Sequence, residues 1–467
     1  MAAAETLPVP TSNLEELPEI VARLRSAFES GRTRPLEWRR SQLRALRALL
    51  TERAEVFVEA LAADLGKPAL EAHAADVAQG KIEAGTALRR LRRWTRPERV
   101  GRVPFIGRGR VLREPLGVVL IIAPWNYPVG LLLAPAVGAI AAGNAVVLKP
   151  SEVTPHTSAA LAEWLPRYLD PEAIALVEGG VTETTALLEQ RFDHIFYTGN
   201  GRVARVVLQA AAHHLTPVTL ELGGKSPCLV AKDADLRTTA RRIAWGKFLN
   251  AGQTCIAPDY VLVERSREQA LVAELRSVVE RFYGPDPAAS PDYARIVNER
   301  HHRRLAALLA EGEVAFGGQL DPKSGYIAPT VVQNVSLDSP LMREEIFGPI
   351  LPVIPVDSMD EAIDFVNARE KPLALYLFTR DRSLEERVLA QTSSGGACVN
   401  GTIVHITDPR LPFGGVGASG TGAYHGRHSF ETFSHRRAVV TRGVRIDPSL
   451  LYPPYGKRTT ALLRRFI

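Results

Sequence analysis

The chain has 467 residues, 46% of them hydrophobic and 23% charged, with three cysteines and a formal net charge of +6. That balance fits a soluble globular protein of two or three domains at ~150 residues each. It excludes intrinsic disorder, collagen-like repeats and small disulfide scaffolds. The 57 basic residues barely exceed the 51 acidic ones, include only nine lysines and are spread along the chain. A nucleic-acid binder gathers its charge on one face. No nucleic-acid partner is expected, although Arg89 to Arg96 and Arg436 to Arg442 are dense enough to form a basic surface strip.

From the start, Met1 to Leu17 lacks the basic and apolar regions of a signal peptide. Leu43, Leu46, Leu50, Ala54, Phe57 and Leu61 recur at helical spacing, and Gly66 is a natural stop. Leu116 to Leu148 carries no charge, yet Pro124, Pro128, Pro135 and four glycines interrupt it. It reads as buried strand, turn, apolar helix, turn and buried strand, with no membrane span. From there GVVLIIAP, NAVVLKPS and HIFYTG are short strands separated by helical segments, the pattern of a parallel sheet with crossover helices.

Three segments could carry chemistry. After NAVVLK, Lys149 and Glu152 flank a Pro-Ser turn at a strand end, where open α/β sheets bind ligands. They read equally as ribose ligands or as a surface ion pair beside a helix cap. HIFYT then leads through Gly199-Asn-Gly-Arg-Val-Ala204 into an apolar helix, a strand–GxGxxA–helix turn able to receive a phosphate, or simply a tight turn. Glu221 lies 22 residues beyond Gly199, where a dinucleotide fold keeps its ribose acid. Cys255, between Gly252 and Pro258, sits on a loop before a strand, as a nucleophile or as inert filler. Cys228 and Cys398 lie beside apolar runs with no activating partner in sequence, and three unpaired cysteines suit a reducing, cytoplasmic compartment.

Further on, Tyr260 to Glu264 reads as a strand, and Ser266 with Gln269 as a capping box for a helix bearing Leu271, Leu275, Val278 and Phe282. Ser358 and Glu361 repeat that signal, and Leu373 to Phe378 reads as another buried strand. No internal repeat is visible. His213-His214, His301-His302 and the pair His425 and His428 lack companions at zinc spacing, so no metal is expected. Tyr452 to Ile467 is a short basic-apolar tail, too charged to cross a membrane.

Taken together, APWNYP (123–128), GNAVVLKPSE (143–152), FYTGNG (196–201), ELGGKSPC (221–228), GQTCIAPD (252–259), EEIFGPILP (344–352) and PFGGVGASGTGAYHGRHSFETFSH (412–435) resemble the NAD(P)-dependent aldehyde dehydrogenase superfamily, in order and over most of the chain. GRTRPLEWR near the start, AYHGRHSF and YPPY resemble its class 3 branch, which takes medium- and long-chain or aromatic aldehydes.

The resemblance implies an α/β, aldehyde dehydrogenase-like fold of two parallel-sheet domains with a small bridging and oligomerisation hairpin. The NAD(P)-binding, Rossmann-like domain would take 1–98 and 113–221, the catalytic domain 222–433, the hairpin 99–112 and 434–447, and the tail 448–467. Ser434 to Arg445 is expected to pair near Gly101 to Val111 and to extend a neighbouring subunit's sheet in a homodimer. By resemblance Cys255 is the nucleophile, Glu221 the general base rather than a ribose ligand, and Asn126 the oxyanion-hole amide. Lys149 and Glu152 hold the adenosine ribose, Gly199 lies beside the pyrophosphate, and Glu345 and Phe347 hold the nicotinamide ribose. Trp125 and Leu222 complete the cofactor set, and Trp125, Tyr127 and Phe413 are candidate pocket residues. One departure is TGNGRVAR (198–205), where class 3 relatives read TGSTxxGK or TGNTxxGK. Gly201, Arg202 and Arg205 alter the phosphate neighbourhood, which leaves NAD or NADP open. The implied reaction oxidises an aldehyde to an acid through a Cys255 thiohemiacetal and a thioester. The alternative, CoA-acylating chemistry, does not need the base Glu221.

Overall fold

The computed structural model describes residues 11–103, 107–445, 447, 452–457, 461 and 464. The first ten residues and most of the 448–467 tail, on which the readings of the two termini rest, lie outside the described residues.

The uncharged stretch becomes two strands, Val118–Ile122 and Ala145–Lys149, joined through the helix Gly130–Ala142, every residue of which is buried. Among the described residues no helix is long and apolar enough to cross a membrane. The first sheet runs in the order Gly420–Thr421, Val218–Glu221, His194–Thr198, Val118–Ile122, Ala145–Lys149, Ile174–Leu176. Five strands are parallel and only Gly420–Thr421 is antiparallel. Continuous apolar runs come from having helices on both faces. The chain builds outward from Val118–Ile122 first to one side and then to the other, so the switch point lies between that strand and His194–Thr198.

After a first helix, Leu17–Glu29, the apolar run that Gly66 closes spans two helices. Leu43, Leu46, Leu50, Ala54, Phe57 and Leu61 are all buried, but Leu36–Glu52 ends at Arg53 and a new helix, Ala54–Leu65, begins. Gly66 stops it in the left-handed region at φ 57°. After Ala69–Glu71 the chain passes through a π-helical segment, Ala72–Val77, into the helix Ala78–Trp94.

The second sheet runs Glu313–Phe316, Thr330–Gln333, Ile350–Val356, Tyr260–Glu264, Pro227–Val230, Ala374–Phe378, Gly396–Val399, parallel except for the first. Ser266 is not a cap: it lies in a 3₁₀ turn, Arg265–Arg267, and the helix Glu268–Tyr283 starts without a side-chain cap. Ser358 does cap Met359–Asn367, accepting from the Glu361 N–H at 3.2 Å. Its Glu361 partner turns to the Asp357 N–H instead, at 2.6 Å.

A third sheet orders Glu98–Val103, Gly107–Pro115 and Ser434–Thr441, all antiparallel. Ser434–Thr441 pairs with Arg108–Pro115, which lies further along the chain than the expected Gly101 to Val111. The reason is that Glu98–Val103 folds back on Gly107–Pro115, leaving only the far edge of the latter free.

Asn144 ties this sheet to the first. Its side chain accepts from the Gly117 N–H at 2.9 Å and donates to the Ala139 and Phe433 carbonyls, both at 3.0 Å, in full burial. Asn144→Ala strands these groups and is expected to cost about 3 kcal/mol. Differential scanning fluorimetry should show a lower unfolding temperature. An unchanged temperature would contradict the assigned role.

Candidate active site

Every strand of the first sheet that feeds the site does so from its C-terminal end. Trp125 and Asn126 come after Val118–Ile122, Lys149 ends its strand, Gly199 comes after His194–Thr198, and Glu221 ends Val218–Glu221 with Leu222 next. The second sheet contributes from the opposite edge. Cys255 precedes Tyr260–Glu264, and Glu345 and Phe347 precede Ile350–Val356. The two edges face each other across Leu222 to Ser226.

The cysteine loop is held under backbone strain. Asn250, Ala251 and Gly252 are all left-handed, at φ 52°, 51° and 74°, a conformation costly for the first two. Glycine is required at 252, where a Cβ would collide with the Gly348 carbonyl. Gln253 pins the loop, donating to the Arg295 carbonyl at 2.9 Å and accepting from the Val297 N–H at 3.0 Å. Tyr376, fully buried, donates its hydroxyl to the carbonyl of Ile256. Cys255 is partly accessible, and the N–H groups of Cys255 and Ile256 face its sulfur. Burial, with the charges of Glu345 and Glu221, still pushes its thiol up to about 12.

Glu221 is buried and, among the described residues, neither carboxyl oxygen has a partner; burial holds it well above the usual carboxylate range. Burial, aided by Asp259, pushes Glu345 up to about 8. The main chain beside it is clamped. Asp259 accepts from the Ile346 N–H at 2.9 Å and pairs with Lys225, whose ammonium reaches the Leu341 and Glu344 carbonyls at 2.8 and 2.9 Å. Arg304 donates to the Ile346 carbonyl at 2.6 Å. Lys247 is fully buried with an unpartnered ammonium, and burial lowers it to about 8. Asn126, also buried, donates Nδ2 to the Gln253 carbonyl at 3.1 Å.

On the first-sheet side, Lys149 is buried and donates to the Pro150 carbonyl at 2.6 Å. Glu152 acts on it only through charge at longer range, and a lysine so deeply placed excludes the surface ion-pair reading. Gly199 admits no side chain, since a Cβ would strike the Tyr197 hydroxyl. The next helix, Gly201–His214, is capped by Asn200, which accepts from the Val203 N–H at 3.0 Å. Arg202 and Arg205 are exposed, and Arg205 folds back to the Gly201 carbonyl at 3.0 Å. Trp125 meets Phe347, itself left-handed at φ 49°, edge to face at 5.3 Å, so residues of the two sheets touch across the cleft. Leu222 is buried and donates its N–H to the Ser419 carbonyl at 3.1 Å. Tyr127 bonds Thr254 through its hydroxyl at 2.6 Å, and Phe413 packs on Tyr424 and His425.

A dinucleotide fits this arrangement. The switch point, the side-chain-free approach at Gly199, the helix start behind it and the unpartnered Thr198 hydroxyl and Glu221 carboxylate lie along one edge. Among the described residues no group of His, Cys, Asp and Glu is placed to hold a metal. Sequence reading missed Lys225, Asp259, Lys247 and Arg304, because their partners are distant in the chain. It also missed the contact of Cys398 with His405 at 3.1 Å. Burial lowers that histidine to about 4, so the pair is a neutral contact and Cys398 is not activated.

Known proteins resemble this chain in sequence and in fold. The profile of the Aldehyde dehydrogenase family matches residues 2–439. The chain is 51% identical over 451 residues to Aldehyde dehydrogenase family 3 member A2 of Mus musculus, covering 96% of this chain and 93% of that protein. It superimposes on a substrate-bound structure of Staphylococcus aureus AldH with a TM-score of 0.94 at 40% identity, covering 97% and 99% of the two chains. A Mycobacterium tuberculosis aldehyde dehydrogenase complexed with NAD+ matches with a TM-score of 0.85 at 30% identity, over 94% and 92%.

The carboxylates disfavour the thiolate, so removing one should ease ionisation. Glu345→Gln is expected to speed iodoacetamide labelling of the cofactor-free protein at pH 8 severalfold, with Cys255→Ser as the unlabelled control. A slower reaction would show that Glu345 assists the thiol rather than opposing it.

Proposed function

The chain belongs to the aldehyde dehydrogenase family and oxidises aldehydes with NAD or NADP, and from that premise we propose that Cys255, Glu221 and Asn126 carry the chemistry. The observation that supports this most directly is that a thiol and an unpartnered carboxylate from different sheets face one cleft within electrostatic reach.

An aldehyde carbon cannot release hydride until it bears a tetrahedral oxyanion, which attack by the Cys255 sulfur creates. With its thiol near 12, Cys255 is almost wholly protonated at neutral pH, so its proton must be taken as the sulfur attacks. Glu221, with both oxygens free, accepts it. The free N–H of the Asn126 amide and the Cys255 backbone N–H receive the oxyanion. The nicotinamide, when bound, supplies the hydride acceptor. Gly199, Lys149 and Glu152 on one sheet, with Glu345, Phe347, Trp125 and Leu222 at the cleft, hold that cofactor. Once Glu221 has passed the thiol's proton to solvent it is again a base and draws a proton from water; the hydroxide attacks the thioester carbonyl, the C–S bond breaks, and the acid leaves while the Cys255 sulfur takes back a proton. A raised carboxyl is the stronger base, but its ionised form is populated only as pH rises.

We assign medium- and long-chain aliphatic or aromatic aldehydes as substrates, on the likeness to class 3 relatives and the aromatic Trp125, Tyr127 and Phe413. The domain division at Glu221, with 99–112 and 434–447 as the bridging element, is supported by the parallel strands before Glu221 and after it falling in two different sheets, with Gly420–Thr421 crossing back to the first. The edge position of Ser434–Thr441 supports a homodimer, and three free cysteines support a cytoplasmic location.

An assay at 340 nm with hexanal and benzaldehyde, and with NAD and NADP, tests the assignment. Cys255→Ser should abolish turnover. Glu221→Gln should cut steady-state turnover far more than the loss of one oxyanion donor. With wild type, the deacylation rate should climb as pH rises above the usual carboxylate range, because the raised carboxyl gains its ionised form only there. A pH-independent deacylation, or a Glu221→Gln variant with normal turnover, would remove Glu221 from its role. Light scattering should return twice the chain mass; a monodisperse monomer would contradict the homodimer.

A further inference from the structure

We infer that the buried Lys67–Asp76 pair is the positioning device of the oxyanion hole, fixing the main chain that presents Asn126 and thereby setting the rate of acylation. This rests on the reading of Asn126 as the oxyanion donor.

Lys67 comes directly after the stop at Gly66, and its side chain is wholly buried, as is that of Asp76. An ammonium has three donors. One goes to Asp76 Oδ2 at 3.2 Å and one to the backbone carbonyl of Asn126 at 2.8 Å, while the cation lies 4.2 Å from the centre of the Tyr127 ring. All three contacts therefore fall on Asp76 or on residues 126–127. Asp76 completes the clamp from the other side. Its Oδ1 accepts from the Gly130 N–H at 2.5 Å, and it also accepts from the Val129 N–H, at the start of the buried helix Gly130–Ala142. A carboxylate is well placed at a helix N-terminus. Gly130 lets it approach, since a Cβ there would lie 2.9 Å from the Asp76 carbonyl and 2.7 Å from Gln79 Oε1.

The segment 126–130 is thus held at its first carbonyl and at its last two amides. Asn250 adds a second donor to the Asn126 carbonyl at 3.0 Å, and its own N–H is anchored on Glu71 at 3.0 Å. The Asn126 carbonyl thus takes two donors, and the main chain that follows it is tied to Asp76. What remains is a side-chain amide with one N–H on the Gln253 carbonyl and the other free.

Stability alone does not account for the pair. A buried ion pair is commonly no better than apolar residues of the same shape, because desolvation offsets the attraction. Burial here works against both charges, lowering Lys67 and raising Asp76. Asp76 also sits on the π-helical segment Ala72–Val77, a geometry rare in proteins and frequent at functional sites. What the pair supplies is direction: an oxyanion donor acts through its pre-set aim at the developing charge, and small misplacements cost rate steeply.

The test is a double-mutant cycle. Lys67→Met with Asp76→Leu removes both charges together, and the pair of substitutions is placed in the wild-type and Asn126→Ala backgrounds. Single-turnover hydride release from hexanal with NAD reads acylation, and the unfolding temperature is measured in parallel. Asn126→Ala alone is expected to slow acylation about a hundredfold. Replacing the pair is expected to slow it about tenfold in the wild-type background and no further in Asn126→Ala, with the KM for NAD unchanged. Equal slowing in both backgrounds, or none in either, overturns the positioning role and leaves the oxyanion reading standing. Full acylation by Asn126→Ala overturns both. If the doubly substituted protein does not fold, Asp76→Asn, which keeps the shape, takes its place with the same expectations.

Discussion

Five residues, Leu222 to Ser226, join the last parallel strand of one sheet to the first strand of the other. That short link governs how the working parts of the molecule are disposed. It leaves the C-terminal edge of the first sheet opposite the N-terminal edge of the second, with a cleft between them. Open α/β sheets usually offer only their C-terminal edge to ligands, and the first sheet does so. The second departs from the habit, because its working loops must reach back toward the first. The thiol loop, the Glu345 segment and the link therefore crowd one space, and the Lys225–Asp259 pair fastens all three: Lys225 belongs to the link, Asp259 ends the thiol loop, and both bond the segment that carries Glu345.

Burial sets the electrostatic character of that space. Glu221, Glu345, Cys255 and Lys247 are each shifted by desolvation toward their neutral forms. Fixed charge around the thiol is therefore confined to paired or clamped groups such as Lys225 with Asp259, while Glu221, Glu345 and Cys255 lean toward neutrality. A site so buried gains from dipoles already aimed at developing charge, since they need no reorganisation as it forms. Strained backbone at Asn250 and Ala251 is held in full burial, and Phe347 is left-handed as well beside its contact with Trp125.

The sequence made the sheets and the residues proposed to react legible, and the supporting contacts much less so. Strands such as Tyr260–Glu264 and His194–Thr198 are read directly, because full burial on both faces demands unbroken apolar runs. Cys255, Glu221 and Asn126 stand out only through their family motifs; spacing alone would have made Glu221 a ribose ligand. Local signals misled where tertiary packing decided the outcome. Apolar spacing ran smoothly through Arg53 although the helix breaks there, and Ser266 with Gln269 looked like a cap although the first turn is 3₁₀. Lys67 and Asp76 were invisible for another reason. A lysine nine positions from an aspartate reads as surface charge until a π-helical turn and a glycine carry both into the interior.

Gly252 and Gly348 touch where the thiol loop crosses the segment bearing Glu345 and Phe347, too closely for any side chain at 252. No side chain stands between the two main chains, so the position of the thiol loop is set by direct backbone contact with the segment that carries Glu345 and Phe347. The spacing of the thiol loop and the Glu345 segment is thereby fixed by main-chain geometry rather than by a rotamer.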